Sequence, residues 1–149
     1  MARVIVCGGR SFQNYDTLEK YLDMLHALHG FDVVIHGAAI GADLLAHNWA
    51  LSHHVDIRQF RADWKTYKKA AGPIRNKQML DEGRPDLVIA FPGGKGTSNM
   101  KMQANMAGVE VLDLSEEHVR RSVERQYEFH KARNGGRANL AGEATDKPR

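Results

Sequence analysis

Cysteine is nearly absent from this 149-residue sequence, which has only Cys7. One thiol excludes an internal disulfide framework. Its place at the end of an apolar run reads as a buried side chain rather than a nucleophile. Long hydrophobic stretches are missing too: the longest runs fall well short of a membrane span. Met1-Ala2-Arg3-Val4 has no signal-peptide layout. The expected setting is a reducing cytoplasm, with no membrane partner. No internal repeat occurs. The eight histidines never fall into Cys/His or H-E-x-x-H spacing, so no protein metal site is expected. No cofactor is required; a Mg2+ accompanying a phosphate ligand needs few protein ligands and stays compatible with the sequence. Neither sign of charge dominates, since the formal net charge is +3 and the positives are scattered. Such a balance permits nucleic acid without arguing for it.

What is present is an alternation. Apolar runs of strand length at 3–7, 32–35, 55–60, 86–90 and 109–112 are separated by helical patterns. The third run is the most polar and reads as nearer an edge. Asp16 offers an N-cap to a helix striped by Leu18, Leu22, Leu25 and Leu28. Leu44, Leu45, Trp49 and Ala50 mark the apolar side of the next helix. Pro73 suits the first turn of another helix, running through Met79 to Gly83. Met102 and Met106 give 98–107 a weak apolar face. Ser115 caps a last helix carrying Val119, Val123 and Tyr127, which Asn134-Gly135-Gly136 ends. Residues 1–114 thus form the domain, 115–132 a helix packed on it, and 133–149 a disordered tail. Strands alternating with helices at this spacing predict an α/β fold, a mostly parallel five-stranded sheet covered on both faces.

In such a sheet the turns that follow strands share one edge, where open α/β sheets bind ligands. Three of these turns are glycine-rich: Gly8-Gly9-Arg10, the turn from Gly37 to Asp43, and Phe91-Pro92-Gly93-Gly94-Lys95-Gly96-Thr97. In the last of them, three glycines and a lysine sit where a buried strand gives way to a helix. That position aims free N–H groups and the positive end of the helix dipole at one spot, which suits an anion. It is not a Walker A loop, because Gly96 follows Lys95 where Ser or Thr is needed. The alternative for one loop is a tight turn with no ligand; three on one edge favour a ligand.

Taken in order, Cys7-Gly8-Gly9-Arg10, His36-Gly37-Ala38-Ala39-Ile40-Gly41-Ala42-Asp43, Ala62-Asp63-Trp64, Ala71-Gly72-Pro73-Ile74-Arg75-Asn76 and the Phe91–Thr97 string resemble the SLOG superfamily, in its YpsA/YspA-related branch. The resemblance covers about residues 3–114. It implies a Rossmann-like three-layer αβα fold that binds a nucleotide or nucleotide-derived ligand. Cousins in the Lonely-guy group cleave nucleoside monophosphates to base and ribose 5-phosphate, with hallmarks R-K-x-x-M and P-G-G-x-G-T-x-E-E. Here Arg75 and Met79 match the first. The second keeps the glycines and Thr97 but has Asn99 and Met100 in place of both glutamates. Glycosidic cleavage passes through an oxocarbenium-like state that a carboxylate stabilises, and neither residue supplies one. The resemblance also makes a homodimer an expected assembly, because cousins dimerise.

Asp43 and Asp63 are the replacement carboxylates on the same edge, as general base or as ribose ligand; Asp43 could also serve its helix N-terminus alone. Phosphate ligands are expected from Gly8, Gly9, Arg10, Gly37, Gly41, Arg75 and Asn76, and from Pro92, Gly93, Gly94, Lys95, Gly96 and Thr97. A first-turn position for Arg75 is costly against the helix dipole, which suggests function. Trp64 and Tyr67 could stack on a base or pack a lid. His36 ends the second strand on this edge, touching ligand or filling a polar strand end. The leading expectation is a binder of nucleotide derivatives, acting as sensor or as phosphoribohydrolase-like enzyme. Alternatives are single-stranded nucleic-acid binding of the DprA type, with a basic groove leading from the loops, and a scaffold using the last helix as contact surface.

Overall fold

The computed structural model describes the backbone of residues 1–145 and the side chains of residues 1–135. Short runs of branched apolar residues with no polar face belong inside a parallel sheet. β1 (Ala2–Cys7), β2 (Phe31–His36) and β4 (Leu87–Ala90) are such runs, and they occupy its centre. The more polar β3 (Asp56–Gln59) and β5 (Glu110–Asp113) take the edges. The order is β3-β2-β1-β4-β5 and every pair is parallel.

Because side chains alternate across a strand, the central strands feed two cores. Val4, Val6, Leu87 and Ile89 face α1 (Tyr15–His29), α2 (Ala42–Ser52) and α6 (Glu117–Thr145), against Leu18, Leu22, Trp49 and Val123. Ile5, Cys7, Val88 and Ala90 face α4 (Ala71–Gly83) and α5 (Lys95–Met106), against Met79, Met100 and Ala104. A short α3 (Trp64–Tyr67) and a 3-10 turn (Lys68–Ala70) join β3 to α4. The result is the expected Rossmann-like three-layer arrangement. α6 is pinned to α1 by Val123 and by the Tyr21 hydroxyl, which donates to Glu124. No helix among the described residues is long and apolar enough to cross a membrane.

Several local expectations are corrected. α1 is capped by Asn14, whose Oδ1 accepts from Thr17 N, and Asp16 lies inside the first turn. Leu44 is exposed, and α2 buries Ala46, Trp49 and Ala50 instead. In α5 the buried face is Met100 and Ala104, while Met102 and Met106 are exposed. Met100 and Ala104 form the face that packs on Val88 and Ala90 of the sheet, about 200° round the helix from the Met102 side. α4 begins at Ala71, so Arg75 sits in its second turn and the dipole cost expected of a first-turn arginine is smaller. α6 does not stop at Asn134–Gly136 but runs on to Thr145. The remaining four residues of the expected tail, 146–149, lie outside the described residues.

Candidate functional site

β1 and β4 are neighbours, yet the chain leaves β1 toward α1 on one face and β4 toward α5 on the other. This reversal opens a crevice beyond their carboxyl ends, the switch point of the sheet. The two turns meet there: Gly9 N donates to Pro92 O (2.8 Å). The approach depends on glycine, since a Cβ on Gly93 would collide with Thr97 Oγ1 and stand 2.7 Å from Gly9 N. A Cβ on Gly9 would lie 3.0 Å from the Gly93 Cα.

The floor of the crevice is the start of α5. Gly94 is its N-cap and no side chain caps it. The first-turn N–H groups of a helix have no intrahelical acceptor, which applies here to those of Lys95, Gly96 and Thr97. Apart from their chain neighbours and their own helix backbone, no protein atom lies within 4 Å of where a Cβ on Gly94 or Gly96 would stand, and both line the crevice.

The opposite wall is the 37–40 turn, locked from three sides. Asp43 Oδ2 accepts from Gly37 N (3.1 Å) and Ala39 N (3.2 Å). His36 Nδ1 accepts from Ala38 N (2.9 Å), and Arg75 Nη1 donates to Gly37 O (2.5 Å). A Cβ on Gly37 would meet the Arg75 guanidinium, so any other residue there has to push that side chain aside and disturb its bond to Gly37 O. Arg75 Nε donates to Asn76 Oδ1 (3.0 Å). Asn76 Nδ2 donates to Gly96 O (3.2 Å) and Asn99 Oδ1 (3.1 Å), and Gln103 Nε2 also donates to Asn99 Oδ1 (2.8 Å). A continuous polar chain thus links the two glycine walls. Asn99 occupies one of the absent glutamate positions and is committed to this chain; Met100, at the other, is core.

The crevice measures about 1490 Å³. Arg10, Arg61, Lys69, Arg75 and Lys95 line it against the lone carboxylate of Asp43. Four net positive charges there exceed the formal +3 of the whole chain. Burial pushes the Asp43 carboxyl up to about 6, against the pull of its two N–H donors and the Arg75 guanidinium. Burial likewise lowers the Arg75 pKa. Cys7 lines the crevice bottom, and burial raises its thiol pKa far above the ordinary value, which leaves it a protonated, inert group.

The expected site residues divide accordingly. Gly8, Gly9, Arg10, Gly37, Asp43, Arg75, Asn76, Trp64 and the whole Pro92–Thr97 turn come together around the crevice. His36, Gly41, Asp63 and Tyr67 are not on it. His36 is buried, bonded through Nε2 to His47 Nδ1 (3.0 Å), and held down to about pKa 4 by burial first and then by His47, Arg61 and Arg75. Gly41 has φ +88° and packs its backbone against Gly9 and Arg10. Asp63 is exposed and caps α3 by accepting from Thr66 N (3.1 Å). Trp64 carries the Arg10 guanidinium over its ring at 5.5 Å. Sequence reasoning missed Arg61 and Lys69. Arg61 had a signal, since it follows the third strand on the edge that selected Arg10; Lys69 had none. Among the described residues no three His, Cys, Asp or Glu side chains cluster as a metal site.

Glycine turns, an uncapped helix start and gathered cations at the switch point of a parallel sheet place this domain among Rossmann-like folds with an open crevice at the strand ends. A family model described as "YAcAr: YspA, cpYpsA-related SLOG family" matches residues 2–67. The chain is 35% identical over 124 residues to the Gene 61 protein of Mycobacterium phage D29, covering 78% of this chain and 98% of that one. It belongs to the YspA, cpYpsA-related SLOG family, whose domains are generally nucleotide-related. DNA processing protein A (DprA) from Streptococcus pneumoniae matches with a TM-score of 0.42 and 18% identity, over 74% of this chain. The chain spans 58% of that DprA chain.

Proposed function

We propose that this protein binds a nucleotide or nucleotide-derived anion in the switch-point crevice. A phosphate rests on the free N–H groups at the start of α5, between Gly9 and Gly94. Lys95 and Arg75 neutralise it, and Trp64 offers a face to the base. The observation that carries the reading is the pairing of an uncapped helix start with five cations and one carboxylate in a single cavity. A Mg2+ would arrive with the ligand's phosphates, Asp43 being the carboxylate within the crevice.

Native mass spectrometry of protein taken from cells, followed by calorimetric titration with nucleoside monophosphates, tests it. A retained or titratable nucleotide is expected. Arg75→Ala should weaken binding about tenfold or more, the usual cost of a lost charge-assisted contact. Wild-type protein that binds no nucleotide, or an Arg75→Ala variant that binds as tightly, sinks the reading.

Hydrolysis of an N-glycosidic bond is a second reading, favoured by Asp43 alone. Its carboxyl, near 6, is poised for general-base work near neutral pH, and Oδ2 is held by two N–H groups. Release of free base from a nucleoside monophosphate, lost in Asp43→Asn, would support it. Binding without turnover leaves a sensor.

A further inference from the structure

The crevice has more cations than one phosphate can use, and they are not all in one place. Lys95 and the α5 start belong to the β4 turn. Arg61 and Lys69 belong to the connection after β3, where Arg61, Trp64 and Lys69 form the far wall. β3 and β4 are three positions apart in the sheet, which puts their ends roughly 14 Å apart at about 4.8 Å per spacing. That separation leaves room for a sugar between an anion at each end. No carboxylate offsets the far cations within the crevice, because Asp63 of the same segment is turned to capping α3 and is not on the lining. Arg61 lies close enough to His36 to help depress its basicity, so its charge reaches the β2 end as well. A cavity of about 1490 Å³ also exceeds the roughly 300–1,000 Å³ of most small-ligand pockets.

We infer that Arg61 and Lys69 form a second anion subsite, and that the ligand is a nucleotide carrying two separated anionic groups. One rests on the α5 start and the other on the β3 wall, with a sugar between them. This rests on the nucleotide reading above. Arg10, laid over Trp64, brings a third cation to the same wall, and without a second anion these charges would repel one another with nothing to bind.

The test compares NAD+ with NADP+, which differ by one phosphate separated from the pyrophosphate by a ribose, with AMP as the single-phosphate probe. Calorimetry at fixed salt is expected to show NADP+ bound about tenfold or more tighter than NAD+. In the Arg61→Ala/Lys69→Ala double variant that ratio should collapse toward one, while in Arg75→Ala both affinities fall and the ratio persists. Both substituted side chains are exposed, and a thermal melt checks that the fold is kept. Equal affinity of wild type for NAD+ and NADP+, or a ratio unchanged in the double variant, overturns the second subsite while AMP binding leaves the nucleotide reading standing. Absence of binding by all three nucleotides overturns both.

Discussion

Replacing Asp43 with asparagine isolates the one buried carboxylate of the crevice. Asparagine keeps an oxygen to accept from Gly37 N and Ala39 N, so the 37–40 turn retains its hold while the charge goes. In the wild type, burial lifts this carboxyl from 3.8 to about 6. Between those values the folded state keeps a proton that the unfolded state has released. The contribution of Asp43 to stability therefore falls as pH rises from about 4 to 6. At about 1.36 kcal/mol for each tenfold change in proton affinity, the full swing is about 3 kcal/mol. His36 works in the other direction over the same window: burial lowers it from 6.5 to about 4, so stability from this group rises with pH. Wild type alone would show the two nearly cancelling. The informative quantity is the difference in unfolding free energy between wild type and Asp43→Asn, measured by urea denaturation from pH 4 to 8, where the His36 contribution is common to both. That difference should move against the wild type by about 2 kcal/mol between pH 4 and 7, the rest of the swing lying below pH 4. A flat difference would show that Arg75 and the two N–H donors fully offset burial. A change of opposite sign would show a depressed carboxyl and refute the reasoning outright.

Two further substitutions probe the glycine contact and the α5 face. Gly93→Ala puts a methyl group against Thr97 Oγ1 and the Gly9 backbone; a loss of about 1–3 kcal/mol in denaturant melts is expected, with nucleotide binding lost, and a stable variant that still binds would show that the turns tolerate separation. Met100→Ala should cost about 2–5 kcal/mol, whereas Met106→Lys should change stability by less than about 0.5 kcal/mol, because only Met100 is buried. Equal costs at the two positions would place the helix in the wrong phase.

Much of the crevice is legible in the amino-acid sequence, for a geometric reason. In a parallel sheet every strand points the same way, so Gly8–Arg10, Gly37 and Gly93–Thr97, each following an apolar run, had to share an edge. The polar composition of β3 placed it at the rim in the same way. The sequence alone thus determined the strands, the common edge and the glycines that let two turns touch. Tertiary structure decided what depends on contacts between distant residues. Arg75 reaches Gly37 across 38 positions, and His36 turns from the ligand edge to His47, eleven residues on. α5 buries Met100 rather than Met102 because the Met100 and Ala104 face is the one laid against Val88 and Ala90 of the sheet. Arg61 and Lys69 join the crevice only because the β3 connection folds back over it. Local patterns encode which way a chain runs and where it bends; which side chains then meet is set by the packing of segments that no short window of sequence contains.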